Sequence, residues 1–156
     1  MRKILVSGCL YGWSCRYDAV DTPCTDLRFL KWKEEGRLVP VCPEVYGGLP
    51  TPRPDSQRVG GKVMACAGAD VTAEYEAGAV KALQLARQND VAFALMKEDS
   101  PSCGSRYIYD GTFTDTKKEG QGRAVQLLTE AGFVVFDEDQ LDEAAALLAE
   151  LDTNIQ

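Results

Sequence analysis

The chain of 156 residues contains no histidine. That absence removes the Ser-His-Asp and Cys-His mechanisms and every zinc site that includes an imidazole. Acid and base work therefore falls to Asp, Glu, Lys, Tyr, Ser or Cys. No CxxC pair occurs either: Cys9, Cys15 and Cys24 are six and nine residues apart, which argues against a zinc ribbon and against a CxxC redox motif. The turn Ser7-Gly8-Cys9-Leu10-Tyr11-Gly12 lacks the GxGxxG of a dinucleotide site and the GKS/T of a P-loop. Positive charge is scarce, with 17 Lys and Arg against 24 Asp and Glu and a net charge of −7. Nucleic acid and anionic membranes, which attract clustered Lys and Arg, are excluded as principal partners. No apolar run approaches the roughly 20 residues of a membrane span. Only Ile4 to Val6 are strongly apolar at the start, short of the roughly 7–15 residues of a signal segment. These features predict a cytoplasmic protein with a small, neutral or modestly charged ligand. In a reducing compartment its six cysteines are ligands, catalytic groups or core residues rather than disulfides.

What the chain does have is a set of short apolar runs alternating with helical patterns. Residues 3–8, 37–42, 91–96 and 133–136 read as buried parallel strands. Between them, Thr25 or Asp26 caps a helix at 26–35 ended by Gly36, Thr72 caps a helix at 73–88, and further helices are expected at 120–131 and 139–151. A β-hairpin excursion near 57–66 turns at Gly60-Gly61. The expectation is a single α/β domain over 1–156, Rossmann-like, with about four parallel strands flanked by helices in the order 2-1-3-4.

Three of the strands lead to a cysteine at or beyond their ends: Cys9, Cys42 and, across the loop 97–102, Cys103. In parallel sheets the carboxyl ends of the strands form the edge where ligands bind, so this placement gathers three thiols into a candidate metal or cluster site. Cys15, Cys24 and Cys66 lie in loops or the hairpin and read as packing or incidental residues, with Cys15 a reserve ligand or resolving thiol. Beside the trio stand Glu44, Asp99, Ser100 and Ser102. Glu44 or Asp99 is a candidate base for water, or else a loop carboxylate capping backbone amides. Ser100-Pro101-Ser102 serves equally well as a turn. Two other readings stay open, a non-catalytic module holding zinc by the same thiolates and a thiol redox protein using Cys9 and Cys15.

The segments Ser7 to Asp18 (SGCLYGWSCRYD), Val41 to Gly48 (VCPEVYGG), Thr51 to Pro54 (TPRP), Lys97 to Gly104 (KEDSPSCG) and Ile108 to Phe113 (IYDGTF) resemble the thiouracil desulfurase family of short bacterial proteins. The resemblance implies a 4Fe-4S cluster held by Cys9, Cys42 and Cys103 with one iron open, and removal of sulfur from a thiolated pyrimidine base or nucleotide. It places the family's catalytic glutamate and serine on Glu44 and Ser100, with Asp99 as the rival base. One departure is Ala19, where a glycine often follows Arg-Tyr-Asp. Candidate substrate contacts are Ser7, Tyr11, Arg16, Arg53, Ser102 and Arg106. Tyr11, Trp13, Tyr107 and Tyr109 offer stacking faces, and Arg16, Arg53 and Arg106 offer guanidinium forks for a phosphate. Convergence of two of those arginines on the cysteines would favour a thio-nucleotide, and of none a free base. The expected assembly is a monomer or homodimer.

Overall fold

A computed structural model describes residues 1–153. Four short strands form a parallel sheet: β1 (Ile4–Ser7), β2 (Leu38–Val41), β5 (Phe93–Met96) and β8 (Val135–Asp137), in the order β2-β1-β5-β8. This is the order expected from the sequence. Alternation along each strand explains why all four read as nearly continuous apolar runs. Ile4, Val6, Phe93 and Leu95 enter one core with Phe29 and Trp32 of α2 (Leu27–Glu34) and Leu141, Ala144 and Leu148 of α6 (Leu141–Thr153). Leu5, Ala94 and Met96 enter the other, against Ala79, Ala82 and Ala86 of α4 (Thr72–Gln88) and Ala124, Val125 and Leu128 of α5 (Arg123–Glu130). Helices cover both faces, so both faces of each strand must be apolar.

The remaining elements crowd the carboxyl edge of this sheet. Each of the first two strands runs into a single helical turn, α1 (Gly8–Tyr11) after β1 and α3 (Pro43–Tyr46) after β2. The hairpin β3 (Ser56–Val59) and β4 (Lys62–Ala65) stands where its turn signals predicted, and β6 (Tyr107–Tyr109) pairs with β7 (Lys117–Glu119) in a second one. Boundaries differ locally. Asp26, not Thr25, caps α2 by accepting the N–H of Arg28 at 2.9 Å. Thr72 is the first residue of α4 rather than its cap, and its hydroxyl bonds Asp70. Helix α5 starts at Arg123 rather than 120, because Gly122 packs its Cα against the backbone of Ser102 and Cys103, where a Cβ would approach Ser102 C to 2.4 Å. Ala19 adopts φ +60, the left-handed conformation that a glycine enters without steric cost. Among the described residues no helix is long and apolar enough to cross a membrane.

Candidate functional site

Cys9 lies in α1, Cys42 immediately precedes α3, and Cys103 lies in the loop after β5, so each follows one of three adjacent strands. All three are buried, none is in a disulfide, and they line one cavity of about 230 Å³. The cavity opens beside the point where the chain reverses its winding direction between β1 and β5, the usual binding crevice of such sheets. Burial pushes the Cys9 thiol up, and Cys103 is pushed up to about 12 for the same reason. Cys42 is lowered, chiefly by a hydrogen bond from the Cys15 thiol and also by the N–H of Val45 and the Arg53 guanidinium, against the effect of burial. It is the thiol readiest to ligate as thiolate. Cys15 shares the cavity wall, with its carbonyl 3.6 Å from the Cys42 sulfur. Cys24 packs against the first core and Cys66 is exposed, both away from the cavity. Among the described residues no three His, Cys, Asp or Glu side chains group closely enough to hold a single metal ion.

Glu44 reaches the same cavity from α3. Its position depends on two glycines. A Cβ on Gly47 would lie 1.9 Å from the carbonyl oxygen of Glu74, and one on Gly78 would lie 1.7 Å from that of Pro43. Only glycine lets α3 approach the α4 backbone this closely, and the approach brings buried Tyr75 beside the Glu44 carboxylate. The side chain of Arg53, 4% exposed, clamps the opposite side of that carboxylate, with Nε and Nη2 donating to Oε1 at 3.1 and 2.9 Å. The Ser102 hydroxyl donates to Oε2 at 2.9 Å. Since a carboxylate only accepts, the Ser102 proton points to Glu44, and Ser100 must donate the 3.1 Å bond that joins the two serines. Ser100 Oγ accepts the N–H of Cys103 at 2.7 Å, so turn and proton chain are one structure.

Several sequence candidates have other duties. Asp99 lines the cavity, but its carboxylate is tied to Lys117 at 2.8 Å. Arg53, expected to contact substrate, has its donors engaged by Glu44, Pro50, Thr51 and Cys15. Arg106 points away from the cavity and pairs with Asp137 at 2.7 Å. Tyr11 is also outside, beneath Lys33 Nζ at 4.3 Å and packed on the edge of Trp13. Trp13 and Tyr107 do not line the cavity, whereas Tyr109 does. Ser7 lines it but ties β1 to β5, accepting the N–H of Lys97 at 2.8 Å. Arg16 stays on the wall, half-buried beside Asp18. Tyr75 and Gln57 also line the cavity and carry no functional mark in the sequence, because each belongs to an element that reads as ordinary helix or hairpin. The available signal was polarity on an otherwise apolar face.

A second carboxylate holds the loop that carries Cys103. Glu98 is 9% exposed and its Oε1 accepts the N–H groups of Asp99, Ser105, Arg106 and Tyr107 at 3.0 to 3.2 Å. Burial pushes Glu98 up, but a hydrogen bond from the Asp137 carboxyl and these N–H groups outweigh it and hold Glu98 well below its ordinary 4.5. A depressed folded pKa stabilises the fold above the unfolded value and loses that stabilisation as pH falls from about 4.5 towards the folded value. Glu98→Gln is therefore expected to lower unfolding stability at pH 7 by about 2 kcal/mol. It should also flatten the acid limb below pH 4.5, as measured by denaturant melts across pH.

The 2-thiouracil desulfurase family model matches residues 4–140. An uncharacterized protein, YbbK of Bacillus subtilis strain 168, is 39% identical over 150 residues, covering 90% of this chain and 98% of that one. A solved structure described as the 4Fe-4S-dependent thiouracil desulfidase TudS superposes with a TM-score of 0.94 at 46% identity, covering 96% of this chain and 99% of that one.

Proposed function

This chain belongs to the 2-thiouracil desulfurase family, and we propose that it replaces the sulfur of free 2-thiouracil by oxygen, with a 4Fe-4S cluster held by Cys9, Cys42 and Cys103. The observation that carries the reading is the clamped Glu44, which shares one cavity with three buried thiols. The donor set fits the group. Three thiols on one wall, with no trio grouped for a single ion among the described residues, suit a cluster whose ligands sit on separate irons better than a lone zinc. The redox reading gains no support, since Cys9 and Cys15 are both free and no hydrogen bond joins them among the described residues. Three thiolates on a four-iron cluster would leave one iron without a protein ligand, and that iron would supply a Lewis acid for a soft sulfur donor.

The chain's own groups do the rest. In the net change, a C=S group and water become a C=O group and hydrogen sulfide, which requires no electrons. Arg53 and Ser102 fix the Glu44 carboxylate, so a water beside it loses its proton to Glu44 as its oxygen attacks the thione carbon. A second proton must reach the departing sulfur. The chain Ser100, Ser102, Glu44 offers hydroxyls in series, with Ser102 Oγ 3.5 Å from the Cys103 sulfur. Glu44 takes precedence over Asp99 as base because Glu44 meets the Ser102–Ser100 chain beside Cys103, whereas the Asp99 carboxylate is turned to Lys117. Ser102→Ala is expected to lower kcat by about 10–100-fold, the lower part of the range for acid-base relays, with iron content unchanged.

A free base suits the site better than a nucleotide. The cavity of about 230 Å³ is below the roughly 300–1,000 Å³ of clefts that take drug-sized ligands. Two of the three arginines stand on its wall, which by position alone meets the condition for a thio-nucleotide, but Arg53 has no donor to spare, which leaves Arg16 alone for a phosphate. Anaerobically reconstituted protein given 2-thiouracil, 4-thiouracil and 4-thiouridine monophosphate should release sulfide from the bases and little from the nucleotide. No sulfide from any of them, with the cluster intact, would reject the substrate class.

A further inference from the structure

Gln57 stands on β3, is 3% exposed, and lines the cavity together with Glu44 and the three thiols. Its Oε1 accepts two backbone N–H groups, from Gly111 at 3.0 Å and Phe113 at 3.2 Å. Two N–H donors decide the orientation of an amide, because only its oxygen can face them. The Nε2 group is therefore turned away from residues 111–113, and it makes no hydrogen bond among the described residues.

Nor can this amide swing to find a partner. Gln57 is held in register opposite Met64 in the β3–β4 hairpin. The turn that grips its oxygen lies directly on β3: Gly111 has φ +91, and a Cβ there would come within 2.6 Å of the Arg58 carbonyl oxygen. Nε2 is not among the sealed-off polar atoms that lack a partner, so it keeps open space beside it on the cavity wall, where a ligand that brings an acceptor pairs with it.

We propose that Gln57 is a specificity-determining residue whose Nε2–H donates to the exocyclic oxygen that a thiouracil retains beside its thione. A ring with oxygen at that place presents an acceptor to the amide. A ring with an amino group presents a donor to a donor and leaves both unpaired. On this basis the site accepts 2-thiouracil and refuses 2-thiocytosine. The inference rests on the desulfuration of a thiopyrimidine in this cavity.

Gln57→Glu separates recognition from structure. The carboxylate has the same size and keeps an oxygen for the N–H groups of Gly111 and Phe113, but it offers an acceptor where the amide offered a donor. Wild-type reconstituted protein should favour 2-thiouracil over 2-thiocytosine in kcat/KM by about 10–100-fold, the range for a hydrogen-bonding group left unpaired. In Gln57→Glu that preference should vanish or invert, with the thermal midpoint and iron content unchanged. Calorimetric binding of uracil and cytosine to the same two proteins needs no turnover and reads Gln57 by itself. Uracil should bind the wild type more tightly, and the variant should lose the difference. Equal binding of both bases by the wild type, or an unchanged preference in a folded variant, would overturn the role of Gln57. Absence of sulfide from the loaded wild type, with uracil still preferred over cytosine, would instead strike the desulfuration reading.

Discussion

Glu44→Gln is expected to keep its full complement of iron and to lose 2-thiouracil turnover by about 10²–10⁴-fold, the range for removing a positioned acid-base group. The amide has the shape of the carboxylate, so the clamp survives in part. Its oxygen must turn to Arg53, whose Nε and Nη2 require an acceptor at this place. Its amide nitrogen then faces Ser102 Oγ, where the wild-type carboxylate accepts a proton-bearing hydroxyl at 2.9 Å. The bond reverses, and no atom at position 44 can take a proton from water. Iron quantitation beside steady-state kinetics checks the prediction. Full activity in the variant would move the base to Asp99 or to a group of the substrate.

Replacing any one of Cys9, Cys42 or Cys103 by Ala should lower iron content and activity together. The activity loss should be at least about 100-fold, at or beyond the 10–100-fold that follows removal of an outer-shell partner of a metal site. The three thiols are buried on one cavity wall, whereas Cys15, the other cysteine on that wall, is half-buried. Cys24→Ala and Cys66→Ala serve as controls. The first side chain packs in a core on one side of the sheet and the second is exposed, so both variants should retain iron and turnover. Iron and acid-labile sulfide counts across the five variants distinguish ligands from bystanders.

The layout of this site was legible wherever apolar periodicity reports directly on topology. Runs buried on both faces mark the strands of a parallel sheet, and a cysteine closing each of three runs falls on the carboxyl edge whatever the order of those strands. The single-turn helices α1 and α3 left no such mark, because one helical turn carries no period to read. Strand β7 was equally silent: Lys117, Lys118 and Glu119 are all exposed, and only backbone pairing with β6 makes them a strand. Partners were harder still. Arg53 and Arg106 looked alike as loop guanidiniums, and their separate commitments to Glu44 and Asp137 depend on contacts 9 and 31 residues away. Tyr75 and Gln57 gained their places only when Gly47 and Gly78 allowed α3 onto α4 and when the turn at 111–113 folded over β3. Neither close approach has a sequence period.

The new oxygen of the product comes from a water prepared by Glu44. Anaerobic turnover of 2-thiouracil in water enriched in oxygen-18, with no added reductant, tests it most directly by mass spectrometry of the uracil formed and titration of the sulfide released. Attack by this water gives one labelled oxygen per uracil and one sulfide per uracil. Unlabelled uracil, or turnover that demands an added electron donor, would contradict it.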